Sequence, residues 1–197
     1  MKYWIAIGLL FFFHCNSYSQ RHRIKAGFIG FPTVSGFGIG TVGYEIMNKA
    51  FTKSWQIHIN GAGGAIATDV GTVARKWLTI ERAYYHFTIA KKISWSYSFF
   101  TELGNRTKEN GDRGRDNSRI LDKRKTIELN PGAQLGMQCR VGKSWGIEMQ
   151  AGPKLIIATG KAYYLDMSQG APSIQFTERV SEIKPGYSLM GKVYIQF

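Results

Sequence analysis

The sequence predicts an all-β fold: an eight-stranded antiparallel up-and-down barrel that crosses a membrane. Three observations carry this. The last twelve residues, Gly186 to Phe197, alternate strictly. Tyr187, Leu189, Gly191, Val193, Ile195 and Phe197 fall on one face, and Ser188, Met190, Lys192, Tyr194 and Gln196 on the other, as period-two geometry requires. A Ser-Trp dipeptide recurs at Ser54-Trp55, Ser94-Trp95 and Ser144-Trp145, each just after a lysine (Lys53, Lys92, Lys143) and each opening a similar alternating run. Finally, no apolar run after residue 19 is long enough for a membrane helix, although 44% of the chain is hydrophobic. Apolar surface on that scale must then be carried by strands.

Residues 1–19 read as a cleaved secretory signal, with Met1-Lys2 as the basic start, Tyr3 to Phe13 as the apolar core and Ser17-Tyr18-Ser19 as the small-x-small site before Gln20. Residues 20–197 then form one barrel domain. Cys15 follows Phe12, Phe13 and His14, where lipoprotein processing needs small residues, so no lipid anchor is expected. Cys139 is left as the one mature cysteine, which excludes an internal disulfide. A net charge of +13 would suggest nucleic acid in a cytosolic protein, but export removes that partner.

The strands follow in order. Ile24 to Phe31 and Gly36 to Met47 pair across the turn Pro32 to Ser35. From Trp55, the residues Trp55, Ile57, Ile59, Gly61 and Gly63 face outward against Gln56, His58, Asn60 and Ala62. Trp77 to Ala90 returns. From Ile93, an outward set of Ile93, Trp95, Tyr97, Phe99 and Leu103 opposes Ser94, Ser96, Ser98, Phe100 and Glu102. Ile127 to Val141 is the sixth strand. Trp145, Ile147, Met149, Ala151, Leu155 and Ile157 mark the outward face of the seventh, and Gly186 to Phe197 closes an even count. Pro131 and Pro153 donate no ladder bond and imply bulges or early strand ends.

Connections into the Ser-Trp strands are short, whereas 67–76, 105–124 and 160–184 are long. Short turns belong on the periplasmic side and long loops outside. This sets Trp55, Trp95 and Trp145 at the inner interface and Trp77 near the outer one. With these features the chain resembles the small OmpA/OmpX-type outer-membrane barrels. Among them it is similar to a Gram-negative family of unknown function that shares an early Gly43-Tyr44-Glu45 strand and a run like Glu81 to Tyr85. The resemblance implies insertion by the barrel-assembly machinery. The signal for this is the closing strand with Val193, Ile195 and Phe197, although the family's usual Tyr-x-Phe ending is Ile195-Gln196-Phe197 here.

If aromatics face lipid, polar residues face inward. The expected interior charges are Lys25, Arg82, Arg140, Lys154 and Lys192 against Glu45, Glu102, Glu128 and Glu148, and isolated charges there would be costly, so they should pair. Setting Ile89 opposite Ile93 brings Arg82 diagonal to Glu102. Setting Val141 opposite Trp145 brings Arg140 diagonal to Glu148, and Glu45 comes near His58. An eight-stranded barrel has room only for side chains, so a plugged lumen is expected.

The basic residues Arg106, Arg113, Arg115 and Arg119 in the loop 105–125 are candidates for contact with lipopolysaccharide phosphates. Arg21 and Arg23 read as an N-terminal arm. The leading functional reading is a monomeric structural or interaction protein of a Gram-negative outer membrane, with lipids and lipopolysaccharide as partners and no cofactor. A lipid-modifying enzyme would have to use His86 with Ser96. His86-Phe87-Thr88-Ile89 lacks the His-x-Ser-Asn of barrel lipid A deacylases, and no metal-ligand spacing is present. A narrow carrier of a small apolar ligand is the third reading.

Overall fold

Strands with one apolar and one polar face leave no unpaired edge only if every strand is paired on both sides, and a ring achieves this. The computed structural model adopts that solution with β1 (Arg21–Ile29), β2 (Gly38–Met47), β3 (Lys53–Ile66), β4 (Gly71–Phe87), β5 (Ile93–Arg113), β6 (Arg119–Arg140), β7 (Trp145–Asp166) and β8 (Ser173–Gln196). Each strand pairs antiparallel with the next, and β8 pairs with β1, as in Ile24↔Ile195 and Ala26↔Val193. The structure describes residues 21–29, 38–48, 50–66, 71–87, 92–113, 119–166 and 173–197. The expected signal segment 1–19 and the turn Pro32 to Ser35 lie outside them.

Following the pairs round the ring fixes its geometry. From Leu103 the path runs through Leu78, Ile59, Val42, Ala26, Val193, Ile147 and Cys139, and it returns to β5 at Ile93, ten residues from where it left. Such a stagger over eight strands tilts them about 40° from the barrel axis, with an interior that side chains can fill.

The two faces are chemically inverted relative to a water-soluble protein. Val42, Ile59, Phe99, Leu135 and Ile183 point outward and are more than half exposed, while Lys25, Glu45, Glu81, Glu148 and Lys192 point inward and are almost completely buried. Contiguous apolar surface on this scale needs an apolar partner. Trp55, Trp95 and Trp145 are all exposed on the outer face at the end that carries the short turns. One of these turns is locked by Asn48, whose side-chain carbonyl accepts from the Thr52 and Lys53 amides, and it places Phe51 in the left-handed region at φ 58°.

Strand ends differ from the sequence expectation at the opposite, loop end. The expected loops 105–124 and 160–184 are largely strand: β5 and β6 stay paired out to Arg113↔Arg119, and β7 and β8 out to Asp166↔Ser173. Polar residues on both faces hide these extensions from an alternation argument, but the backbone ladder continues wherever both partners are present. Pro131 and Pro153 neither end a strand nor shift its register. Rungs are absent beside them, between Leu129↔Ile157 and Gly132↔Lys154 and again before Leu135↔Ala151, while the offset stays constant. The missing proline N–H removes a rung and nothing more. The register shift of the β7–β8 pair lies at Tyr164/Leu165.

The largest correction concerns β4. The expected opposition of Ile89 and Ile93 is off by one residue: His86 pairs with Trp95 and Tyr85 with Ser96. A one-residue slip moves every side chain to the other face. Arg75, Trp77, Thr79, Glu81, Ala83 and Tyr85 therefore face the lumen, and Arg82, Tyr84 and His86 face out.

Candidate functional site

Inward parity on all eight strands brings ionisable groups into one narrow lumen. Five cations, Arg23, Lys25, Arg75, Lys154 and Lys192, and five carboxylates, Glu45, Glu81, Glu102, Glu128 and Glu148, are buried there, so the buried charge cancels among the described residues. Buried ions cost several kcal/mol each unless paired and hydrogen-bonded, and the contacts meet that need.

Towards the turn end, Lys25 Nζ lies 2.5 Å from Glu148 and 3.1 Å from Glu45, and it donates to Gln56 at 2.9 Å. Glu45 also accepts from Tyr85 Oη at 2.5 Å and faces Arg23 at 3.4 Å. Arg23 stacks on the Tyr194 ring at 4.4 Å. At mid-height, Lys192 donates to Gln150 at 2.7 Å, Gln150 donates to Glu81 at 2.9 Å, and Lys192 lies 3.6 Å from Glu81. His58 joins this layer through Lys192 at 3.4 Å and links it to Gln56 at 3.1 Å. Towards the loop end, Arg75 bridges Glu102 and Glu128, both at 2.8 Å, while Lys154 holds Glu102 at 2.9 Å and Asn130 donates to it at 3.1 Å. These contacts join strands across the ring, β8 to β4 and β7 to β5, and so fill the cross-section.

Above the Arg75–Glu128 pair the lumen opens into a pocket of about 180 Å³ whose charged lining is Arg106, Lys108, Arg124 and Lys184 with Glu128 and Glu182. Arg106 stands opposite Arg75, and Lys108 stands opposite Arg124 across β5 and β6. Like charges placed directly opposite are destabilising. Glu128 is shared between Arg75 and Arg106, the latter at 3.6 Å. Lys184 donates a hydrogen bond to Glu182 at 2.6 Å.

The outer surface of the same end carries a second basic feature. Lys125, Lys161 and Arg179 stand directly opposite one another on β6, β7 and β8, and all three are exposed. Their parity is outward, the reverse of Arg124. Nearby, Glu109 pairs with Lys123.

The lumen unites Glu45, His58, Glu102 and Glu148 as expected, but with other partners. Arg82 is corrected: it lies outside, over the rings of Trp55 at 4.8 Å and Tyr84 at 5.7 Å. Glu102 takes Arg75 and Lys154 in its place. The β6–β7 register is as expected, with Arg140↔Gly146 and Gln138↔Glu148, yet Glu148 is bound by Lys25 of β1, two strands away round the ring, rather than by Arg140. His58 contacts Gln56 and Lys192, and Glu45 contacts Tyr85. Trp77 is corrected as well: it is 4% exposed, packed on Met190 and covered by Arg75 at 4.3 Å. Arg23 is a lumen residue and not part of an arm. His86 stacks outside on Tyr97, while Ser96 is buried inside, so the barrel wall separates the pair. Among the loop arginines, Arg106 lines the mouth pocket, and the side chains at 113, 115 and 119 lie outside the described residues. Val193, Ile195 and Phe197 are exposed on the outer face of the seam.

The residues missed were Glu81, Arg75, Arg23 and Tyr85. A signal for β4 was present: Leu78 and Ile80, the large aliphatic residues of its middle, share parity with Arg82 and therefore fix it on the apolar side. No known protein-family profile matches this sequence, and neither does any curated protein. In fold, the chain is similar to the crystal structure of a major outer membrane protein from Thermus thermophilus, with a TM-score of 0.68 at 10% sequence identity over 91% of this chain and 100% of that one. This likeness establishes the eight-stranded up-and-down barrel as the shared architecture.

Proposed function

We propose that the protein is an outer-membrane barrel of the small OmpA/OmpX kind with a plugged interior, acting as a structural or interaction protein at the cell surface by contact with lipopolysaccharide phosphates. The apolar outer wall supports membrane residence, because only closed barrels and helices satisfy all backbone groups in lipid. The observation that carries the functional reading is the outward row Lys125, Lys161 and Arg179 beyond the apolar band. Three cations in direct cross-strand opposition cost stability on their own, and they fit a layer of lipid phosphates. In this reading the short turns and Trp55, Trp95 and Trp145 are periplasmic, the chain is exported and monomeric, and Phe197 belongs to the segment read by the assembly machinery. The test is lipopolysaccharide retained by protein purified from native membranes. A Lys125→Gln/Lys161→Gln/Arg179→Gln variant should retain several-fold less, and unchanged retention would overturn the proposal.

A further inference from the structure

The pocket inside the loop-end mouth is a separate feature from the outward row. We infer that it is a binding site for the phosphate group of a soluble compound that reaches the barrel from outside the cell. This rests on the proposed function only for the orientation of the barrel.

Four cations, Arg106, Lys108, Arg124 and Lys184, converge from β5, β6 and β8 on one space of about 180 Å³. That is the room of roughly six waters at about 30 Å³ each, enough for a phosphate or diphosphate group with part of its hydration. Two carboxylates share the space. Glu182 is engaged by Lys184 at 2.6 Å, and Glu128 is divided between Arg75 below and Arg106 above. Lys108 and Arg124 lie directly opposite each other across the ladder. Among the described residues, the four cations of this lining outnumber its two carboxylates, so positive charge is in local excess in this chamber. Guanidinium and ammonium donors arriving from three strands match a group with three or four oxygens better than the two of a carboxylate.

Facing decides between two sources of phosphate. The pocket residues have lumen parity, as shown by Arg124↔Ala162 and Glu182↔Ala158, where both alanines are nearly fully buried. A lipid headgroup in the leaflet stands on the far side of the strand wall, against Lys125, Lys161 and Arg179. The mouth pocket faces the barrel axis instead. The Arg75, Glu102, Glu128 and Lys154 cluster forms its floor, so a bound anion is held at the mouth rather than passed through.

The experiment titrates inorganic pyrophosphate into the folded barrel in phosphatidylcholine nanodiscs, with Lys108→Gln, Arg124→Gln and Lys161→Gln variants alongside and heat-modifiability as the folding control. We expect saturable one-site binding that weakens about tenfold or more in the Lys108 and Arg124 variants, recovers in Lys108→Arg, and stays unchanged in Lys161→Gln. Absence of saturable binding, wild-type affinity in both pocket variants, or an equal loss in Lys161→Gln would each overturn the inference. Lipopolysaccharide retention measured on the same variants separates the two proposals, since the outward row should govern it and the pocket residues should not.

Discussion

Lys192 on β8 and Glu81 on β4 meet at 3.6 Å from opposite walls of the barrel, with Gln150 of β7 hydrogen-bonded to both. The contact spans the lumen at a level where both charged groups are essentially inaccessible to solvent. It follows that Glu81→Gln should destabilise the folded barrel by about 3–5 kcal/mol, because Lys192 keeps its charge without its carboxylate. A Glu81→Leu/Lys192→Met double variant should cost less than either single change. Urea titration of barrels refolded into lipid vesicles reads both, and a single-variant cost below about 1 kcal/mol would contradict the layer described.

Bridges of this kind also bear on conductance. With side chains joining β8 to β4 and β7 to β5, the protein in planar bilayers should show no stable open-pore current, and sustained conductance of pore size would be incompatible with them.

Gly43 stands directly opposite His58, and a Cβ at position 43 would collide with the imidazole Nδ1. Gly43→Ala should therefore cost about 1–3 kcal/mol by overpacking, with most of the loss recovered in Gly43→Ala/His58→Ala. Failure of the second change to restore stability would show that the glycine is needed for another reason.

The register of β4 makes Arg82 and Arg75 opposite in weight. Arg82→Ser removes a partly exposed cation from the faces of Trp55 and Tyr84 and should cost about 0.5–1 kcal/mol. Arg75→Ser leaves Glu102 and Glu128 without their shared partner and should cost about 3–5 kcal/mol. Reversal of that order would restore the slipped register.

Phe197 closes the seam through its backbone: its amide donates to the His22 carbonyl at 3.1 Å and its carbonyl accepts from His22 at 3.3 Å. Deleting Phe197 should impair assembly into the outer membrane, read as loss of the heat-modifiable folded band. Folded protein at wild-type levels would contradict this.

Alternation alone determined the strand number, the antiparallel order, the lipid-type outer face, and the interior placement of Glu45, His58, Glu102, Glu128, Glu148 and Lys192. Period two is a local property that each strand displays by itself, so it survives without knowledge of any neighbour. Register does not. The facing of Arg82, Glu81 and Trp77 turned on a single residue in the β4–β5 pairing, where the turn expected from sequence, with Ile89 opposite Ile93, is one residue off the observed register. Strand length at the loop end was hidden for a related reason: with polar residues on both faces, only the paired ladder marks where β5 to β8 stop. Above all, the partners of the buried charges belong to the closed ring. Lys192 reaches Glu81 from the opposite wall, and Lys25 reaches Glu148 from two strands away, because closure with a ten-residue stagger brings strands far apart in sequence to the same height around one narrow lumen.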